Sequence, residues 1–176
     1  MGRQIMEQAR SALKRALISG TMGGIATAIF ASLAGKREDG SYAAPLNATS
    51  HIIWGDKAAH KDNASLKYTA TGFLLNHAAS IFWAWFYEKW FGQGGKGPGT
   101  SRGNGVPEPR SLVKPILGAA AVSAAAYIND YYLIPERFTP GFEKRLSGKS
   151  LATIFAALAV GLALHDLLDA AKTKRR

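Results

Sequence analysis

Four long apolar stretches alternate with polar connections along the chain. They cover residues 16–35, 68–87, 115–135 and 151–168. The hydrocarbon core of a bilayer is about 30 Å thick, and about 20 helical residues with a rise of about 1.5 Å each cross it. The first and last stretches are apolar or small on every side, whereas a helix of a soluble bundle carries a polar stripe. The pattern therefore predicts an all-α integral membrane four-helix bundle with four transmembrane helices.

The connections divide the chain into two transmembrane hairpins. The first 15 residues mix apolar and basic side chains, which is typical of a short amphipathic helix at the inner interface or of a plain positive arm. The first outer loop contains "SHIIWG", which favours either a re-entrant segment near the headgroups or a solvent loop with hydrophobic anchors. The predicted segments are the basic arm 1–15, the first hairpin 16–91 with its long outer loop 36–67, a Gly/Pro-rich cytoplasmic linker 92–111, the second hairpin 112–171 and a basic tail 172–176.

Basic residues cluster just outside the apolar stretches. The chain has 22 Lys and Arg against 12 Asp and Glu, a net charge of +10. Positions beside a span are where orientation signals and contacts with anionic lipid belong. We therefore expect both termini inside, with the lipid bilayer and anionic lipid headgroups as partners and no nucleic acid. The sequence has no cysteine, which excludes disulfides, thiolate metal sites and a cysteine nucleophile within it.

Small residues recur four positions apart within three of the apolar stretches. Membrane helices associate by close packing at such positions. The pattern predicts a protein of structural or accessory type, which assembles through small-residue faces into a homo-oligomer or a larger membrane complex. The pairs are Gly20 with Gly24, Ala119 with Ser123, and Ala157 with Gly161.

Polar side chains interrupt the second and third stretches. A charge at the bilayer centre costs about 2.5–3.5 kcal/mol, so each such group needs a partner or a hydrated cavity. At about 1.5 Å per residue, His77 lies about 13 Å and Asp130 about 8 Å below the outer boundary, which places them at similar depth. They are either interhelical packing contacts or the centre of a site for transport or sensing of a proton or polar solute. The predicted outer-half cluster consists of Asn76, His77, Tyr127, Asn129 and Asp130.

Haem or metal binding is a further alternative. A haem held between His77 and His165 would need both at one depth, but they differ by about 9 Å. A metal would need His77 and Asp130 to be joined by His51 or Asp56 from the outer loop. We expect no cofactor, and the lack of a nucleophile–base arrangement argues against an enzyme.

The inner end of the fourth stretch carries a second pair of polar residues, His165 and Asp166. They lie near the basic tail, at the end of a helix, where polar side chains meet the interface. We therefore expect them to be interfacial rather than part of the outer cluster.

Two polar stretches, "NATSHIIWGDKA" and "YYLIPERFTPGFEKRL", resemble those of small, uncharacterised multi-pass inner-membrane proteins of bacteria. The resemblance implies a location in the bacterial inner membrane. It implies no activity and no catalytic residue.

Overall fold

The computed structural model describes residues 2–92 and 111–174. In these two segments the fold is all-helical, without a strand, and short 3₁₀ and π turns join the helices. Most of the predicted linker, residues 93–110, lies outside the described residues, as do the last two residues of the basic tail. The α-helices are α1 (Gly2–Asp39), α2 (Ala44–Thr49), α3 (His51–Trp54), α4 (Thr71–Trp90), α5 (Val113–Ile128) and α6 (Gly148–Lys174).

The first helix is longer than the sequence predicted. The sequence favoured either a separate short amphipathic helix or a plain positive arm over residues 1–15, but α1 runs unbroken for 38 residues. Residues 3–19 contain neither glycine nor proline, so nothing ends a helix before the apolar stretch begins. At about 1.5 Å per residue α1 is about 57 Å long, well beyond the thickness of a hydrocarbon core.

The four long helices form a bundle in which α1 contacts both α4 and α6, and α5 packs on α6. Glycines allow the closest approaches. A Cβ built on Gly20 would lie 2.5 Å from the Cα of Ile81 in α4, and one on Gly161 would lie 2.5 Å from the Cα of Gly23. We call the end that carries α2 and α3 the cap end, and the end where α4 stops and α5 starts the tail end.

The predicted outer loop is folded into a compact cap. Every residue of α2 is buried. The Asn47 side-chain nitrogen donates to the carbonyl oxygens of Lys61, at 2.7 Å, and Asn63, at 3.0 Å. The Thr69 hydroxyl donates to the Asn47 side-chain oxygen at 2.6 Å. Asn47 thereby joins three parts of the loop into one folded unit.

The hairpin between α5 and α6 docks onto this cap. Gly141 has a φ of +79°, and a Cβ there would lie 2.6 Å from the Ala48 carbonyl oxygen, so only glycine fits the contact. The Arg145 guanidinium pairs with the carboxylates of Asp39 and Asp62. The hairpin, residues 134–147, therefore covers the cap end of the bundle.

The start of α6 is capped by the end of α1. The Glu38 carboxylate accepts hydrogen bonds from the Ser147 backbone N–H at 2.7 Å and from the Ser150 hydroxyl at 2.6 Å. A carboxylate is favourable at a helix N-terminus, where backbone N–H groups are unpaired. The bond from the Ser147 N–H, followed by those from Ser150 and Arg37, lowers the pKa of Glu38 to about 2.

Two helices of the described chain are long and apolar enough to cross a membrane, within Ala9–Asp39 and Gly148–Lys172. The other two predicted spans do not meet the same criteria. α5 stops after 16 residues, where a π turn begins, and the polar Asn76 and His77 lower the mean hydropathy of α4. A buried core helix of a soluble protein also has this length and composition.

Candidate functional site

A cavity of about 350 Å³ lies between α4, α5 and α6 at the cap end of the bundle. Its walls are mainly apolar and aromatic. Asp130 is its one charged lining residue in the part of the chain that the structure describes, and the docked hairpin contributes Phe138, Pro140 and Phe142. A volume of about 300–1,000 Å³ is usual for small-molecule sites, so this cavity is large enough to bind a small ligand.

Asp130 lies in a π turn that continues α5, Asn129–Leu133. The turn ends where Ile134 becomes extended ahead of Pro135, as the sequence around that proline requires. The Asp130 carboxylate is half-buried and accepts a hydrogen bond from the Asn129 side chain at 3.1 Å. Single π turns within helices are rare and are frequent at functional sites, which makes this position notable.

Asn76 forms part of the opposite wall. Its side-chain nitrogen donates to the Gly24 carbonyl at 2.9 Å, and the Thr27 hydroxyl lies 3.1 Å from its side-chain oxygen. Both partners belong to α1, so Asn76 joins α4 to α1 while it also lines the cavity. These bonds hold the amide in a fixed orientation at the cavity wall.

His77 faces α1. Its Nε2 lies 3.2 Å from the Thr21 hydroxyl, its ring stacks on Phe73, and its buried Nδ1 has no hydrogen-bond partner. Within residues 2–92 and 111–174, no hydrogen bond or ion pair joins His77 to Asp130. The structure thus brings Asn76 and Asp130 to one cavity and directs His77 towards the α1–α4 contact.

Tyr127 packs in an aromatic group on α5 and α6. Its ring is 5.3 Å from Phe155 and 5.1 Å from Tyr131, measured between centroids. Phe155 itself lines the cavity, so Tyr127 supports that wall from behind.

The two outer-loop candidates lie in the cap. His51 is buried, with Nδ1 2.8 Å from the Ala48 carbonyl oxygen and Nε2 3.4 Å from that of Glu136. Asp56 is exposed and pairs with Lys144 at 3.0 Å, and this hydrogen bond and charge lower the pKa of Asp56. Neither residue lines the cavity. No group of three His, Asp or Glu side chains in the described chain is arranged to hold a metal ion.

A second polar cluster occupies the tail end of the bundle. Glu88 is buried and pairs with Arg15 at 3.0 Å, and the Tyr87 hydroxyl donates to the buried Asp166 at 2.6 Å. His165 points elsewhere, with Nδ1 3.8 Å from an Asp169 carboxylate oxygen. Sequence reasoning missed the pair of Arg15 and Glu88. The sequence did carry a signal, because Arg15 directly precedes the first apolar stretch and Glu88 directly follows the second. These two opposite charges were therefore predicted at the same membrane boundary.

Comparison with protein-family models, with curated proteins and with solved structures gave no match to this chain. The resemblance to bacterial inner-membrane proteins therefore rests on the two quoted stretches alone.

Proposed function

We propose that this chain is a four-span membrane protein whose cap-end cavity binds a small molecule for transport or sensing. In this proposal both termini face the cytoplasm, and the membrane is the inner membrane of a bacterium. The observation that carries the functional part is the cavity of about 350 Å³, which has Asn76 and Asp130 in walls that are mainly apolar.

The distribution of side-chain size supports a membrane environment. The interhelical core is built largely from alanine, including Ala16, Ala31, Ala84 and Ala126. Large apolar side chains point outward on all four long helices, where a soluble protein would carry polar groups. They include Leu17, Ile25, Ile29 and Leu33 on α1, Leu74 and Phe82 on α4, Ile116 and Leu117 on α5, and Val160 and Leu168 on α6. Small residues inside and large ones outside are typical of helices packed in lipid.

The packing of the bundle supports four spans rather than two. α4 runs antiparallel along α1, from Thr27 beside Asn76 at the cap end to Arg15 beside Glu88 at the tail end. α5 runs along α6, where the Ser123 hydroxyl donates to the Phe155 carbonyl. If α1 and α6 cross the bilayer, α4 and α5 lie at the same depth. Charge agrees with a cytoplasmic tail end, because by position in the sequence 13 Lys and Arg residues belong to the segments predicted inside and 9 to those predicted outside.

The predicted small-residue pairs pack within this chain. Gly20 and Gly24 meet α4, Gly161 meets Gly23 of α1, and Ser123 bonds α6. These contacts occupy the three predicted pairs within one chain, while other alanines of α5, such as Ala121 and Ala125, are exposed. The cavity therefore carries the proposed function, and assembly through the three predicted pairs has less support.

Topology can be tested directly because the chain has no cysteine. Ser147 and Ser101 would each be changed to cysteine in separate variants. Intact bacterial cells that express each variant would then be treated with a membrane-impermeant maleimide. We expect labelling at Ser147 only, and labelling at both after lysis. Labelling of both positions from outside would refute the four-span arrangement, and labelling of Ser101 alone would refute the proposed orientation.

Binding can be tested through Trp83, which lines the cavity. A variant with Trp54, Trp85 and Trp90 changed to Phe keeps Trp83 as its one tryptophan and would be reconstituted in nanodiscs of neutral lipid. Bromoalkyl probes with amine, alcohol or carboxylate heads would quench the fluorescence of Trp83 when they bind. We expect saturable quenching by at least one probe. It should disappear in Ala79→Phe, which fills the cavity one turn from Trp83, and persist in Ala156→Phe, which adds the same ring to an exposed position on α6. Non-saturable quenching by every probe would refute the proposed function.

A further inference from the structure

We propose that the cavity ligand is an amphipathic cation, with an amine or quaternary ammonium head at Asp130 and an apolar body against the aromatic wall. This inference rests on the proposed function and specifies the ligand of the same site. It follows from the charge at the cavity, from the chemistry of its lining and from the side on which it opens.

The charge around Asp130 is negative and lacks a counterion. In the part of the chain that the structure describes, Asp130 belongs to no ion pair, and its one side-chain hydrogen bond comes from the neutral Asn129 amide. The docked hairpin adds a second carboxylate, Glu143, whose negative charge acts on Asp130 and whose Oε1 accepts a hydrogen bond from the neutral Thr139 hydroxyl at 2.6 Å. A buried carboxylate is costly unless it is paired, so this site favours a cation and repels an anion.

The neighbouring cations of the hairpin have other partners. Lys144 pairs with Asp56 at 3.0 Å and with Glu136 at 3.7 Å. Arg145 pairs with two carboxylates of the cap. These pairs hold both positive side chains at the cap surface, which leaves the charge of Asp130 to be matched by a ligand.

The lining suits an ammonium group and the carbon atoms attached to it. Aromatic faces attract cations, and cages of aromatic rings are a known means of binding quaternary ammonium groups. The rest of the wall is mainly aliphatic and accommodates a chain or ring system, with the hydroxyl groups of Thr27, Thr49 and Ser80 as its other polar side chains besides Asn76 and Asp130. The aromatic lining residues are Phe82, Trp83, Phe138, Phe142 and Phe155.

The cavity is bounded on one side by the outward face of α4. Ala78, Ala79 and Phe82 line it and are exposed on the surface of the bundle. In a membrane this surface faces lipid, so a molecule dissolved in the bilayer reaches the cavity from the side. The carboxylate lies about 8 Å below the predicted outer boundary, so the cationic head of such a molecule enters the cavity from the nearer, outer side of the bilayer.

The test compares bromoalkyl probes of one chain length in the single-tryptophan variant. Hydrogen bonds to charged groups contribute more than neutral ones, so we expect the amine to reach half-maximal quenching of Trp83 at a concentration about tenfold lower than the alcohol does. Asp130→Asn should remove this preference. Glu7→Gln should retain it, because it removes one negative charge from an exposed position on α1 that does not line the cavity.

A competition experiment that keeps Asp130 tests the same ligand class even if Asp130→Asn misfolds. In the otherwise unchanged single-tryptophan protein, decyltrimethylammonium should displace the bromoalkylamine and decyl sulfate should not. If the amine binds no better than the alcohol, or if Asp130→Asn keeps the preference, the ligand class is wrong while the cavity still binds. If no probe quenches saturably, the proposed function fails with it.

Discussion

The contact between Gly23 and Gly161 gives a prediction whose sign the structure fixes. Gly161→Ala places a Cβ 2.5 Å from the Cα and 2.7 Å from the backbone nitrogen of Gly23. Carbon atoms need about 3.5 Å, so α1 and α6 must separate by about 1 Å. Backbone atoms cannot rotate aside as a side chain can, and the separation extends to neighbouring contacts of the two helices.

Two opposing contributions set the size of the effect. Overpacking costs about 1–3 kcal/mol, and a gap of about 0.5–1 Å forfeits a quarter to a half of each dispersion contact along the interface. Alanine in a helix interior returns about 0.5–1 kcal/mol relative to glycine. The free energy of unfolding should therefore fall by about 1–2 kcal/mol, which is a fall of about 2–8 °C in the melting temperature of a chain of this size.

Thermal unfolding of the detergent-solubilised protein, followed by tryptophan fluorescence, measures this effect. Gly148→Ala is the matched control, because a Cβ at Gly148 in the same helix meets nothing within 4 Å. The control should melt at or slightly above the temperature of the unmodified protein. A Gly161→Ala protein that melts as high as the control would refute the close packing of α1 on α6.

Three further predictions concern polar contacts. Glu88→Gln leaves Arg15 without its partner and should lower the free energy of unfolding by about 1–3 kcal/mol, and an unchanged denaturation midpoint would argue against a buried pair. Asn47→Ala removes three hydrogen bonds of about 1 kcal/mol each, so amide hydrogens of the cap should exchange faster. Unaltered protection of these amides would contradict the role of Asn47 in joining the cap. Because its folded pKa is depressed, Glu38 stabilises the protein above its ordinary value of 4.5, and this contribution is lost as pH falls from 4.5 towards about 2. In Glu38→Gln the melting temperature should fall less steeply with pH in that range. An equally steep fall in the variant would exclude Glu38 as the cause.

The long helices could be predicted from the sequence because apolar runs of that length leave few other structures. Depth followed from the rise per residue, which is why Asn76 and Asp130 were both expected in the half of the bundle where they line one cavity. Rotation about each helix axis did not follow, since it depends on which faces pack. The sequence therefore suggested that His77 meets Asp130, whereas in the structure it meets Thr21.

The cap was beyond sequence reasoning for a different reason. Asn47 is held by Lys61, Asn63 and Thr69, residues 14 to 22 positions away, and no local pattern specifies such bonds. The four-span prediction also went further than length and hydropathy support, because α4 contains polar residues and α5 ends after 16 residues. The uninterrupted α1 was foreseeable, since residues 3–19 contain no helix breaker.

The central position of α1 has a consequence for synthesis. Its two packing faces are complete when Asp39 has been made, but α6 ends at Lys174, about 135 residues later, or about 7–27 s at the usual rate of translation. Throughout that interval the surface around Gly23 has no α6 to cover it. The nascent chain therefore exposes the glycine surface of α1 until α6 has been synthesised. If translation stalls between α4 and α6, this surface stays exposed and can associate with helices of other proteins.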